Sequence, residues 1–431
     1  MLESIFKLSE NGTTVRRELL GGLTTFVTMS YIVVVNPRIL SEAGMPIEGV
    51  LFATCLSAAV ATIVMGLLAN YPIALAPGMA LNAYFTYAVV LGMGVPWRTA
   101  LGVVFLSGVA FLLLTATRVR QQIVNGIPEC IKLATPAGIG MFIAFIGLRN
   151  CGLVVSDPNT FVALGKFSEP QVQTACLGML LTAILVSRKV AGAILLGILG
   201  TALVAVARGL ASWPTQLVSI PDPSGTFLQL DLAGALQLGL LEFLFVFLFV
   251  DLFDNVGTLL GVCQQAGFVK DGKIPRASRA LVADGIGTVF GAATGTSTVT
   301  SYIESAAGVA AGARTGLSNM VVGALFLGAI FFSPLVAVIP TFAAAPALVI
   351  VGALMARSVA AVQWTDFTEA LPAFVIILTT PLTFSVATGL SLGLITFSVV
   401  KLASGRGKEV SLLLWILTAV FLFRYVYMAL G

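Results

Sequence analysis

Long apolar segments separated by short polar breaks recur along the chain from Leu19 to Tyr427. A helix that crosses a bilayer needs about 20 mostly apolar residues. On that measure, spans are expected at roughly 19–40, 49–69, 73–91, 98–117, 133–149, 172–187 and 190–208. The polar stretch Ala211–Asp231 separates these from a second set at roughly 236–262, 278–293, 296–312, 316–338, 342–357, 369–383 and 385–402. A last apolar run covers 410–429.

Two segments break the helical pattern. The first reads Tyr71-Pro72-Ile-Ala-Leu-Ala-Pro77-Gly78-Met-Ala-Leu-Asn82-Ala-Tyr84. Proline removes a backbone donor and disfavours the helical region for the residue before it, so no continuous helix is expected through Pro77. The second has Thr294, Thr296, Thr298 and Thr300 at period two, a strand signal. Ser301 and Glu304 then match the spacing of a capping box that would start a helix. Each segment is therefore expected to be a short extended piece followed by a half-helix. Each is the third span of its set of seven. Interrupted segments at matching positions of two halves are the sequence sign of a repeat transporter. With an odd number of spans per half, the two halves must be inverted in the membrane. The expected fold is an all-α membrane protein with 14 transmembrane segments in a 7+7 inverted repeat.

Composition agrees. The 431 residues are 58% hydrophobic and 10% charged, where a soluble domain carries roughly 25% charge. The N-terminal stretch is polar and charged, so no cleavable signal peptide is expected. Most of the 23 basic residues fall at segment ends that face the cytoplasm if the N-terminus is inside, among them Arg118, Arg120, Lys270 and Lys273. A multi-pass protein of the cell membrane with a cytoplasmic N-terminus follows as the expectation. The five cysteines are scattered and form no CxxC motif, so neither a disulfide framework nor a metal site is indicated. There is no histidine, which excludes histidine triads, histidine metal sites and histidine proton relays. No cofactor, metal or nucleic-acid partner is expected, and a homodimer is left open.

The chemistry concentrates in Leu241–Gly261, an apolar run that holds Asp251 and Asp254. A carboxylate near the bilayer centre costs a few kcal/mol on insertion scales, so two of them need a reason. Their i, i+3 spacing puts both on one helix face. Gly257 and Gly261 follow and would admit a close neighbour. Asn82 and Glu304 lie near the first turns of the two half-helices, whose free N–H groups carry partial positive charge. Three acids and an amide on apolar or interrupted spans suit a flat heterocycle with several N–H groups, because carboxylates accept and an amide both donates and accepts. Phe26, Tyr31, Tyr84 and Phe253 are candidate stacking faces, although core packing is the better reading for each of the 28 phenylalanines. Gly285, Gly287 and Gly291 suit close helix packing.

Several motifs resemble the nucleobase–cation symporter family, most nearly its adenine–guanine–hypoxanthine branch. They are Asp254-Asn-Val-Gly257-Thr, Ala76-Pro-Gly-Met-Ala-Leu-Asn82-Ala-Tyr and Gly295-Thr-Ser-Thr-Val-Thr-Ser-Tyr-Ile-Glu304-Ser-Ala-Ala-Gly, with the opening that runs from Gly12 to Asn36-Pro37. The likeness extends from about residue 10 to about residue 402. It implies a core domain (1–126 and 232–340) moving against a gate domain (127–210 and 341–431), and purine uptake coupled to protons. It also implies a substrate held between two short strands by Asp254, Glu304 and Asn82. Ser301, Thr300, Gly257 and Pro77 would support them. Asp251 matches a position that is acidic in only part of the family. The run 410–429 lies beyond the fourteenth span and departs from the pattern.

Without histidine, a transported proton must reside on a carboxylate kept protonated by apolar surroundings. Asp251 and Asp254 are expected to carry it as a coupled pair. Glu304, at a helix start, is expected to stay ionised and accept from a base. An inorganic-anion transporter or exchanger of the same fold is the alternative, but it should show a basic residue rather than acids near the half-helix tips. An ion channel lacks its repeated polar stripe here. An intramembrane aspartyl protease normally takes its two aspartates from separate helices.

Overall fold

The computed structural model describes residues 2–117, 126–236, 241–269 and 274–430, without the side chains of 241, 242, 253, 424 and 427–430. Arg118, Arg120, Lys270, Lys273 and the side chains of Phe253 and Arg424 therefore lie outside the described residues. Among those described, eight helices are long and apolar enough to cross a membrane: Val15–Glu42, Ile47–Leu68, Trp97–Ala116, Glu129–Asn150, Pro170–Ser187, Phe243–Gln265, Thr341–Ala361 and Val386–Ala403. Shorter apolar helices run over Met79–Gly92, Ala193–Ala207, Leu317–Ala329, Phe367–Leu382 and Leu412–Phe423. The protein is a mostly helical, multi-pass membrane protein.

The chain forms two compact units. One comprises Met1–Leu113 and Gly147–Ile350, the other Leu114–Ile146 and Val351–Gly431. In the second unit, Phe384 packs edge-on against Phe142 and Phe145 at 5.6 and 5.4 Å between ring centroids. Lys401, fully buried, lies 2.7 Å from both Glu369 and Glu409.

The first unit contains the two interrupted segments. Strand β1 (Leu75–Pro77) leads into a short helix, Met79–Ala83, that widens into a π-helix over Tyr84–Gly92. A hairpin of β2 (Val154–Asp157) and β3 (Phe161–Leu164), absent from the hydropathy pattern, follows the Glu129–Asn150 helix. Strand β4 (Val299–Ser301) leads into the Ser305–Ala310 helix. β1 and β4 pair antiparallel with Leu75 opposite Ser301, Ala76 opposite Thr300 and Pro77 opposite Val299.

A buried two-stranded sheet has two open edges, and backbone at that depth must find partners inside the protein. Threonines supply them. Thr62, on the Ile47–Leu68 helix, accepts from Leu75 N and donates to Leu75 O, both at 2.9 Å. Thr288, on the Ala277–Thr294 helix, donates to Val299 O at 3.0 Å and accepts from Val299 N at 3.3 Å. Asn319 donates to Ile73 O at 2.8 Å, and Ser305 Oγ accepts from Ala74 N at 3.0 Å. Each strand is thus braced by a threonine on the helix that precedes it in the chain.

The glycines around the sheet set how closely the helices approach. A Cβ on Gly287 would come within 2.8 Å of Ala61 Cβ and 3.1 Å of Val299 Cγ1. One on Gly285 would meet Leu112, and one on Gly291 would meet Val299 at 2.9 Å. These three serve close packing, as their sequence context implied. Gly257 differs from its expectation: a Cβ there has nothing within 4 Å among the described residues, so no tightly packed neighbour meets it there.

Candidate functional site

The Leu241–Gln265 helix packs on β4 and on the Ser305–Ala310 helix. It presents its two aspartates to different surroundings. Asp251 is 2% exposed. Asn255, one turn on, donates from Nδ2 to Asp251 Oδ1 at 2.8 Å and to Asp284 Oδ2 at 2.7 Å. Its Oδ1 accepts from Ser301 N at 2.8 Å. Asp254 is partly exposed, with the Thr300 side chain beside its carboxylate and Glu304 close enough to act on its charge. The i, i+3 spacing thus puts one acid in a bonded cluster and the other at an opening, one turn before Gly257.

Glu304 stands at the N-cap of Ser305–Ala310 but makes no capping bond. The capping box expected from Ser301 and Glu304 does not form. Ser301 is the last residue of β4, and its backbone N–H is committed to Asn255. The Glu304 carboxylate instead accepts from Tyr31 Oη at 2.7 Å. Tyr31 sits at the break between the Val15–Met29 and Ile32–Glu42 helices. The neighbouring Tyr302 donates its hydroxyl to Pro77 O at 2.6 Å, which ties the two interrupted segments together.

Asn82 is fully buried and accepts from the Ser297 hydroxyl, while its Nδ2 has no hydrogen-bond partner among the described residues. Ser297 precedes Thr300 by three residues, about 10 Å of extended chain. The structure therefore gathers Asp254, Thr300, Glu304, Tyr31 and Tyr302 about the strand pair, and joins Asn82 to it through Ser297. The hydroxyls of Ser301 and Thr298 are buried without a hydrogen-bond partner. Of the candidate stacking residues, Phe26 packs edge-on against Phe326 at 5.1 Å and Tyr84 against Phe247 at 5.1 Å. The five cysteines are free, and no group of metal-ligating side chains occurs among the described residues.

Sequence reading gave no role to Asp284 or Asn255. Asp284 is fully buried in the Ala277–Thr294 helix. Its signal was available as a lone acid within Ala-Leu-Val-Ala-Asp284-Gly-Ile-Gly, where the glycines drew the attention instead. Asn255 lay inside a quoted motif, but two of its three partners come from residues 29 and 46 positions away.

This arrangement of acids around paired strands can be set beside known proteins. The model of the Permease family (Xan_ur_permease) matches residues 16–392. The putative permease MJ0326 of Methanocaldococcus jannaschii is 54% identical over 99% of both chains. The adenine permease AdeP of Escherichia coli is 45% identical over 99% of this chain and 96% of its own. The guanine/hypoxanthine permease PbuG of Bacillus subtilis is 44% identical over 99% of this chain and all of its own. Among solved structures, the transmembrane domain of the cyanobacterial bicarbonate transporter BicA superposes with a TM-score of 0.64 over 88% of this chain and 97% of its own. At 16% identity that likeness speaks to the fold alone. With the family model spanning most of the chain and near-full-length relatives at this identity, the chain belongs to the nucleobase permease family, whose members are membrane transporters and not enzymes.

Proposed function

We propose that the protein imports purine nucleobases, namely adenine, guanine or hypoxanthine, by proton symport. The observation that carries this reading is the placing of Asp254 and Glu304 together beside the β1–β4 pair. A purine presents ring and exocyclic N–H donors, and carboxylates accept from them. The Nδ2 of Asn82 is a donor for a ring nitrogen or carbonyl. Ser301 and Thr300 support the acids, Pro77 anchors Tyr302, and Gly257, met by no close neighbour among the described residues, leaves room beside Asp254. With no histidine in the chain, the coupling proton falls to Asp254 and Asp251.

The proposed architecture is 14 spans in a 7+7 inverted repeat. Support comes from two strands at matching positions, each braced by a threonine of the preceding helix, Thr62 and Thr288. Alternating access would move a core (1–126 and 232–340) against a gate (127–210 and 341–431). The protein would lie in the cell membrane with its N-terminus cytoplasmic. An inorganic anion is disfavoured as substrate, although BicA shares the fold, because two acids beside the strands would repel it.

The test is uptake of labelled adenine, guanine and hypoxanthine in permease-deficient cells, with unlabelled bases, nucleosides and uracil as competitors. Bases should compete at micromolar concentration and nucleosides should not. Strong competition by nucleosides and none by bases would overturn the reading.

A further inference from the structure

Asn255 occupies an unusual position. Its amide nitrogen donates to two buried carboxylates on different helices and to the Asp251 carbonyl oxygen at 3.1 Å, and its own oxygen accepts from the backbone of the strand that leads to Glu304. Acceptors at 2.8 and 2.7 Å from one nitrogen put the Asp251 and Asp284 oxygens at most about 5.5 Å apart. At that separation in apolar surroundings, two full negative charges disfavour one another, and a single proton relieves the pair. A carboxylate also accepts more strongly than a carboxylic acid. Protonating one acid therefore loosens its hold on the amide, and the amide's other end is bonded to Ser301 of β4.

We propose that Asn255 is the positioning residue through which proton occupancy of the Asp251–Asp284 pair is transmitted to β4, and so to the substrate-binding residues Thr300 and Glu304. This rests on the proton-symport reading above and adds to it a third carboxylate, Asp284, and a mechanical link. Few other titratable groups face the cluster. Asp254 is on the same helix, and Glu304 and Tyr302 lie beyond β4. Tyr84 follows the Met79–Ala83 helix and meets Phe247. Glu48 and Cys55 are on the Ile47–Leu68 helix, and Arg98 is at the start of the Trp97–Ala116 helix; both helices pack on the helix of Asp284. β1 and β4 contribute none.

The experiment uses the full chain purified into proteoliposomes. Labelled purine accumulation driven by an imposed proton gradient is compared with counterflow exchange, and the external-pH profile of purine KM is recorded. Asn255→Ala and Asp284→Asn are expected to lose accumulation at least tenfold more than exchange, with a flattened pH profile. Asp284→Glu should recover part of both. Asp284→Asn is nearly isosteric and keeps an acceptor for the amide, so it carries the test if Asn255→Ala does not insert. Two results overturn the inference while leaving symport intact: variants that accumulate with the wild-type pH profile, or variants in which accumulation and exchange fall together with the profile unchanged, which would be a merely structural role. Wild-type accumulation that ignores both proton gradient and protonophore overturns the symport reading, and this inference with it.

Discussion

Tyr31 donates its hydroxyl hydrogen to Glu304 Oε1 at 2.7 Å, across 273 residues of sequence. The bond joins a break in the first apolar segment to the tip of the second interrupted one. It fixes the glutamate without consuming its second oxygen. Tyr31→Phe removes that donor and leaves the ring. A hydrogen bond to a charged group contributes about 1.5–3 kcal/mol, so purine KM should rise roughly tenfold or more, with exchange still measurable. Initial-rate uptake for the variant checks this, and an unchanged KM would show that the tyrosine does not orient Glu304.

The acids divide the work according to their surroundings. Glu304→Gln should weaken purine binding itself by about 1.5–3 kcal/mol, since a charge-assisted acceptor is lost. Asp254→Asn should abolish proton-driven accumulation and spare part of the exchange. The resemblance, in which the position of Asp251 is acidic in only part of the family, makes Asp251 the milder of the two aspartates. Its bond to Asn255 changes that expectation, and Asp251→Asn should also impair coupling. Equilibrium binding and protonophore-sensitive uptake, with surface expression controlled, separate these effects. If Asp254→Asn accumulates purine against a gradient, the role given to it is wrong.

Two glycines on neighbouring helices should respond in opposite ways. Gly287→Val drives a side chain into Ala61 and Val299, which cannot retreat without moving β4. Overpacking of this kind costs about 1–3 kcal/mol. A lower melting temperature in detergent is the expected outcome. Gly257→Ala meets nothing within 4 Å among the described residues and should leave the melting temperature unchanged. It narrows the space one turn from Asp254, so its effect should fall on the ranking of the bases. A stability loss at Gly257 equal to that at Gly287 would contradict the geometry.

A fourth test lies in the second unit, outside the spans. Arg406 is 2.7 Å from Asp366 Oδ2 and from Glu409 Oε1. Its hydrogen bonds hold both carboxyls down to about 2. Because these values lie below those of the unfolded chain, the stabilisation is present above the ordinary carboxylate range and is lost as pH falls through about 2. The cluster's contribution to melting temperature should be constant between pH 5 and 8 and should shrink toward pH 2. Arg406→Met should lower the melting temperature between pH 5 and 8 and make the acid-side loss shallower. An identical acid limb in the variant would show that the arginine contributes nothing there.

The sequence by itself was enough for the membrane class, because a bilayer imposes length and apolarity on each spanning segment directly. It also located both interruptions. Pro77 forbids a continuous helix locally, and alternating threonines favour an extended chain wherever they occur. The acids Asp251, Asp254 and Glu304 were visible because charge inside an apolar run is costly and therefore conspicuous. Tertiary structure decided the pairings. Nothing near Ser301 says that its N–H will go to Asn255, or that Glu304 will take a phenol from Tyr31 and not cap its own helix. Those choices belong to buried donors and acceptors competing for partners brought close by distant segments. Asp251 and Asp254 are three residues apart in sequence, yet one is enclosed by Asn255 and Asp284 and the other opens beside Thr300. Only the neighbouring helix and strand make that difference, because burial and hydrogen bonding are properties of what surrounds a side chain and not of its spacing along the chain.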